Sequence, residues 1–362
     1  MILNDVRGLV QDSAFARPLG PGRCGRWTPA HVTAIRTQSL GPWLYQTLRS
    51  EPQADVPPEI LAELHHDYMV SGLAALARER PLKKLLAAFE ADRLPVILLK
   101  GMYLGCRVYE EPALRPMGDL DLLVWEDAFE QANRVLISSG YAVAVEDTDM
   151  RHETLNRARV YTKAGTHSVE IDLHRAVWSM DYYRIPASVI WSDAGKSMLY
   201  GHRAYFLSPE LNFLHLGIHN LNHVGGIRDW LDLVLLLHRG RFDWDRFLHL
   251  ADSTCLMRPM HHVFQELASG WGYVPPTYVR RALAGYRPHW LEDRVIMARF
   301  RYPWRLFSRL RLIPGWKPRF EYLRNKALRP RLNCEASSGV LERLAYIGAR
   351  WNLLVHFWKR GR

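Results

Sequence analysis

The sequence predicts an α+β fold, a small β-sheet core flanked by helical N-terminal and C-terminal regions. Two observations carry this reading. Apolar residues recur every three to four positions up to about residue 90 and again from Ser208, the period of a helix buried on one face. Between about 92 and 174 that period gives way to short apolar runs and strict alternation, the pattern of strands. A chain of 362 residues exceeds the usual single-domain size, which predicts two or three packed units.

The elements follow in order. Pro57 and Pro58 open a helical run through Ile60, Leu61, Leu64 and Tyr68, and a second run follows in Leu82, Leu85, Leu86 and Phe89; proline suits a helix start because its missing N–H would be unpaired there anyway. After a break at Asp92-Arg-Leu, Pro95 to Lys100 reads as a buried strand, and Met102 to Tyr109 as a helix. Met117 to Trp125 is a second strand, Glu126 to Ser139 a helix, and Ala158–Thr162 and Ser168–Leu173 two further strands turning at Gly165. Ser208-Pro-Glu is a helix start, and helices are expected to the end, the last along Val340, Leu344, Ile347, Leu354 and Trp358. The expected divisions are a helical region 1–90, an α/β core 91–200, a helical domain 201–298 that completes a cleft, and a basic, aromatic-rich helical region 299–362.

Composition narrows the function. Hydrophobic residues at 48% and charged residues at 23% describe a globular chain, and no stretch approaches the roughly 20 apolar residues of a membrane span. Asp5 stands where an export signal would be basic, so a cytoplasmic protein is expected. Cys24, Cys106, Cys255 and Cys334 have no Cys-x-x-Cys spacing and are expected to be reduced and structural. The net charge of +11 belongs to the tail: from Arg299 onward there are sixteen Arg or Lys and three acids, a balance of +13, which leaves the preceding 298 residues at −2. Arginines interleaved with Phe300, Tyr302, Trp304, Phe307 and Trp316 suit nucleic acid or an anionic membrane face, or clothe a helical domain whose core holds the aromatics.

Asp119-Leu120-Asp121 places two carboxylates on one face of a strand. Held close together, they repel unless protonated or bridged, and hard oxygen ligands favour Mg²⁺; the alternative is a pair of solvated acids on a strand edge. Glu170, Asp172 and His174 likewise share one face of a second strand. If the two strands are neighbours, Asp172 completes a three-carboxylate cluster of the kind that holds two divalent ions for phosphoryl or nucleotidyl transfer. Glu170 and His174 read as flanking residues rather than ligands. Lys100-Gly101 ends one strand and opens a helix, where backbone N–H groups and a lysine can meet phosphate. His215, His219 and His223, four apart, form one stripe of a helix; without cysteine or glutamate beside them they read as a satisfied, partly buried set rather than as a zinc site. Arg228 and Asp232 read as a simple helix pair. No Gly-x-Ser-x-Gly, Walker A or Gly-x-Gly-x-x-Gly motif opens a helix, so hydrolase, P-loop and dinucleotide readings lack their main signal.

The block Leu98-Leu-Lys-Gly101, Tyr109 and Leu114-Arg-Pro-Met-Gly-Asp-Leu-Asp-Leu-Leu-Val124, with Val169-Glu-Ile-Asp-Leu-His174 and the segment from Ser208 through His215, His219 and His223 to Asp232, resembles the bacterial uncharacterised nucleotidyltransferase family of the polymerase-β-like superfamily. The likeness runs from about residue 60 to about 260. It implies a short mixed sheet with flanking helices, Asp119 and Asp121 binding two Mg²⁺ ions, with Mn²⁺ as a substitute, and Asp172 binding the catalytic ion and acting as general base. It implies an NTP as donor, ATP by default, and an unidentified acceptor, more in keeping with a small molecule, peptide or sugar than with templated nucleic acid. Many members of the wider superfamily have Gly-Ser or Gly-Gly at Lys100-Gly101, and Met102 follows here. Nucleotide grip then falls to backbone amides, Lys100, Gly101 and Arg115, with His219 and His223 along the cleft. The competing readings are a non-catalytic nucleotide- or RNA-binding module, and a membrane-surface scaffold using residues 299–362.

Overall fold

A mixed sheet of seven strands organises the described part of the chain, in the order β3-β4-β5-β2-β1-β7-β6. The computed structural model describes residues 2–17, 19, 27–51, 54–144, 158–164, 169–177, 185–223 (the side chains of 222 and 223 excepted), 225–254, 256–285, 316–317 and 319–320. Residues 1–179 and 184–286 form one compact unit, and 180–183 with 287–362 a second; every element below belongs to the first. The last helix expected over Val340–Trp358 and nearly all of the basic segment lie outside the described residues.

Four helices precede the sheet: α1 (Ile2–Ala14), α2 (Pro29–Thr37), α3 (Gly41–Leu48) and α4 (Pro58–Ala91). The two apolar runs that open at Pro58 and Leu82 are one helix of 34 residues with Pro81 inside it. Proline removes one i→i−4 bond, but Leu82, Leu85, Leu86 and Phe89 are buried beyond it, and that burial carries the helix through. It ends at Asp92, and Arg93 turns left-handed at φ +56°.

Strand β1 is Ile97–Leu98, and α5 (Lys100–Arg107) begins earlier than the apolar pattern suggests. Strand β2 is Asp119–Leu123, followed by a 3-10 turn and α6 (Phe129–Ser138), then β3 (Ala142–Val143), β4 (Ala158–Thr162) and β5 (Glu170–His174). Helix α7 (Ala187–Asp193) leads into β6 (Gly195–Leu199) and β7 (His202–Phe206), a hairpin that sequence periodicity does not reveal. Its strand β6 is largely exposed at the sheet edge, so it lacks an apolar signature; Tyr200 and Gly201 make its turn, both at positive φ.

The sheet is sided. Strands β2 and β5 run parallel, with Asp119 opposite Glu170, Asp121 opposite Asp172 and Leu123 opposite His174. Directly paired residues point to the same face, so one face carries the acids and the other carries Leu120, Leu122, Ile171 and Leu173, all buried. Helix α6 covers the apolar face, where Tyr161 Oη donates to Asn133 Oδ1 at 2.7 Å. β1 lies antiparallel beside β2 and parallel to β7, so β2 is interior to the sheet.

Beyond the sheet come α8 (Pro209–His223), α9 (Ile227–Arg239), α10 (Trp244–Ser253), α11 (Met257–Trp271) and α12 (Thr277–Ala284). The Ser208 hydroxyl accepts from Leu211 N at 3.2 Å, the N-cap that the Ser-Pro-Glu motif predicts. Helix α9 buries Ile227 and every residue from Trp230 to Leu237, and α1 packs against it. The fold is α+β with helical flanks. Among the described residues no helix is long and apolar enough to cross a membrane, and Cys106 carries a free thiol.

Candidate active site

The acids meet where β1, β2 and β5 lie side by side. Strand β1 ends at Leu98, the Leu99 N–H beyond it still donates to the Asp121 carbonyl at 3.0 Å, and the chain then turns sharply. Lys100 makes the turn in the left-handed region at φ +41°, which costs a non-glycine residue about 1 kcal/mol or more. Its ammonium lies 2.5 Å from Asp121 Oδ1. The same oxygen accepts from His174 Nε2 at 2.8 Å. Asp121 is therefore not on a solvated rim, as alternation alone suggests; it is 3% exposed because β2 is covered on both sides.

Across the ladder Asp172 has fewer partners. Its Oδ1 is buried without a hydrogen-bond partner. A buried, unpaired carboxylate oxygen is costly, and the titration behaviour reflects this. Burial, together with the Asp121 and Asp119 carboxylates, pushes the Asp172 carboxyl up to about 6. Asp121 goes the other way: burial opposes its ionisation, but the His174 hydrogen bond and the Lys100 charge hold it well below the ordinary carboxylate range. Asp119 is half-buried one row down the strand.

One ligand atom each from Asp121, Asp172 and His174 lies within 4.8 Å of the other two. Two carboxylates and an imidazole at that spacing fit a divalent cation, and the unpaired Asp172 oxygen is what such an ion would satisfy. His174, read from the sequence as a flanking residue, belongs inside this group. Glu170 opposite Asp119 is exposed.

The sequence profile of a family described as uncharacterised nucleotidyltransferase matches residues 28–269. The chain belongs to this family. No curated protein matches it. The matched stretch contains every residue of the acid cluster and reaches from α2 into α11.

The remaining expected residues of this nucleotidyltransferase-family chain fall into two groups. His215 on α8 is buried, and its pKa sits well below the ordinary value, first through burial and then through the charges of Lys100 and His219, opposed by Asp121. The stripe thus runs beside the acids, with His219 half-buried one turn on; the His223 side chain lies outside the described residues.

Arg115 makes a buried ion pair. Expected at phosphate, it is 7% exposed and forks onto Asp232, with Nε at 3.0 and 3.2 Å and Nη2 at 2.8 Å from the carboxylate oxygens. Tyr109 Oη donates to the same carboxylate at 2.7 Å. Burial opposes the charge on Arg115 and Asp232 restores it, so the guanidinium is spent on tying the loop before β2 to α9. Asp232 accordingly does not pair with Arg228, which donates to the Pro116 carbonyl at 3.3 Å and to Asp229 Oδ1 at 3.3 Å.

Gly101 has a steric reason beside its position at the helix start. A Cβ there would stand 2.9 Å from Arg115 Nη1 and 3.3 Å from Met117 Cβ and Sδ. Sequence reasoning missed Arg78, whose Nη1 donates to the Met117 carbonyl at 2.8 Å. Burial pushes its pKa down. Two arginines, Arg78 from α4 and Arg228 from α9, thus converge on the segment Arg115-Pro-Met-Gly118 that leads into Asp119, while Arg115 ties it to Asp232. The only local signal was an arginine amid the apolar positions of α4.

Proposed function

We propose that the protein transfers a nucleoside monophosphate from an NTP to a hydroxyl or phosphate of an acceptor, with Asp119, Asp121 and Asp172 as ligands for divalent cations. The observation that carries this is the Asp172 carboxylate, facing Asp121 in register with one oxygen buried and unpaired, in a chain of this family. Mg²⁺ is the expected ion, with Mn²⁺ as a substitute; bound there, it would act as a Lewis acid on the phosphates and neutralise developing charge.

The chain's own residues supply the rest. Asp121, held ionised by His174 and Lys100, is a fixed negative charge. Asp172, whose carboxyl is raised to about 6 in the metal-free protein, presents the carboxylate oxygen proposed as general base. In the transfer, the acceptor oxygen forms a bond to the α-phosphorus, the bond to pyrophosphate breaks, and the acceptor proton passes to Asp172. Lys100, the backbone at Gly101 and the His219–His223 side of α8 form the proposed nucleotide side. ATP is the default donor. A small molecule, peptide or sugar is the favoured acceptor class, since the family and not the geometry supplies that preference.

The test is titration of each NTP with Mg²⁺ into wild type, Asp119→Ala and Asp172→Asn, with pyrophosphate release and mass spectrometry of products and adducts. Mg²⁺-dependent nucleotide binding that Asp119→Ala loses, with turnover reduced about 100-fold or more in Asp172→Asn, is the expected result. Binding of no NTP, or binding indifferent to both substitutions, overturns the reading.

A further inference from the structure

Lys100 sits where the proposed chemistry needs another cation. Its Nζ is 2.5 Å from Asp121 Oδ1, and that carboxylate belongs to the three-donor group whose ligand atoms lie within 4.8 Å of one another. Asp121 is 3% exposed, so a second positive charge on it would face the ammonium with little water between them, and each would raise the other's free energy.

The backbone agrees. Lys100 is strained at φ +41°, while Gly101, the residue that would adopt that conformation freely, follows it. Strain of this kind persists where surrounding interactions over-determine it; here the interaction is the ion pair that the turn itself creates. Of the two carboxylates, Lys100 has taken the one that His174 also serves, leaving the Asp172 oxygen unpaired.

We propose that Lys100 is a placeholder cation. In the metal-free protein its ammonium balances Asp121; when a divalent cation binds between Asp121 and Asp172 the ammonium is displaced and turns to the triphosphate. This rests on the reading of the acids as cation ligands. It has a consequence that a lysine serving only as a phosphate grip would not have. Removing the Lys100 charge tightens the divalent ion in the absence of nucleotide while weakening the nucleotide, two effects of opposite sign.

The experiment titrates Mn²⁺ alone into the full chain, reading the free ion by electron paramagnetic resonance, for wild type, Lys100→Met and Asp172→Asn. Lys100→Met is expected to bind Mn²⁺ roughly tenfold more tightly than wild type, and Asp172→Asn to lose binding. Equal or weaker binding by a folded Lys100→Met, with Asp172→Asn still defective, overturns the placeholder and leaves the reading of the acids standing. If neither wild type nor Lys100→Met binds Mn²⁺, the reading of the acids falls and the placeholder with it. A measurement on unmodified protein covers the case in which Lys100→Met does not fold: the rate of amine labelling at Lys100, by peptide mass spectrometry, with exposed Lys83 as reference. Mn²⁺ should raise that rate several-fold relative to Lys83; an unchanged or slower rate overturns the proposal.

Discussion

Asp121 and Asp172 face each other across the parallel β2–β5 ladder, yet they are held in opposite protonation regimes. His174 and Lys100 both serve Asp121, whereas one Asp172 oxygen has no partner. Adjacent carboxylates whose environments pull their pKa values apart are the arrangement in which one acid stays a fixed charge and the other exchanges a proton. Each half of that asymmetry has its own pH signature.

Asp172 makes the metal-free protein less stable as pH rises. Its carboxyl titrates near 6 when folded and near 3.9 when unfolded. Between those values the folded state holds the extra proton, so stability falls through this window and stays low above it, by on the order of 3 kcal/mol. In chelator, Asp172→Asn should therefore unfold in more urea than wild type at about pH 7, with the gap closing towards about pH 4. A gap independent of pH would remove Asp172 as its source.

Asp121 gives the opposite sign. Its folded pKa is depressed, so its contribution is complete above the unfolded carboxylate value and is lost as pH falls below it. His174→Phe removes one of the two groups that hold it down. The variant should lose about 1.5–3 kcal/mol at neutral pH, and the loss should shrink in acid. Urea titrations at several pH values check this; a loss that grows in acid contradicts it.

The Arg115–Asp232 pair should behave as a buried structural bridge. Asp232→Ala strands a buried guanidinium and is expected to cost about 3–5 kcal/mol. Tyr109→Phe, which removes one of the bonds to Asp232, should cost about 1 kcal/mol. Arg115→Lys keeps the charge but loses the fork, so equilibrium unfolding should place it between the two. A neutral Asp232→Ala would show that the bridge contributes nothing.

Gly101 and Gly105, one turn apart on α5, should respond differently to alanine. A Cβ at 101 meets Arg115 Nη1 at 2.9 Å, a group fixed by the bridge, and the Met117 Cβ and Sδ at 3.3 Å; Gly101→Ala is expected to cost about 1–3 kcal/mol. At 105 the nearest atom is Met117 Cε at 3.3 Å, the free end of a flexible chain, and Gly105→Ala should be close to neutral. Thermal melts of the two variants decide it, and equal losses would contradict the assignment.

The acid-bearing strands were legible because alternation announces itself: Asp-Leu-Asp-Leu-Leu and Glu-Ile-Asp-Leu-His alternate acids with aliphatic residues along most of each strand. That they are neighbours was conditional in the sequence and is fixed by the ladder. The partner of Arg115 was not legible because it lies 117 residues away; only tertiary structure brings Asp232 to it. The β6–β7 hairpin escaped because an exposed edge strand has no core period to display. His174 was placed on the correct face, but the oxygen it serves belongs to another strand.

The parallel register of β2 against β5 also makes the acid pair an all-or-none feature. Because successive side chains alternate between faces, a slip of a single position would bury both aspartates of β2 in the leucine layer and present leucines to the cleft. A chain that folds with that error loses the three-donor group of Asp121, Asp172 and His174 altogether. Insertions and deletions within Asp119–Leu123 should accordingly be far rarer in functional variants than substitutions there, since the alignment of two short strands carries as much of the chemistry as the acids they display.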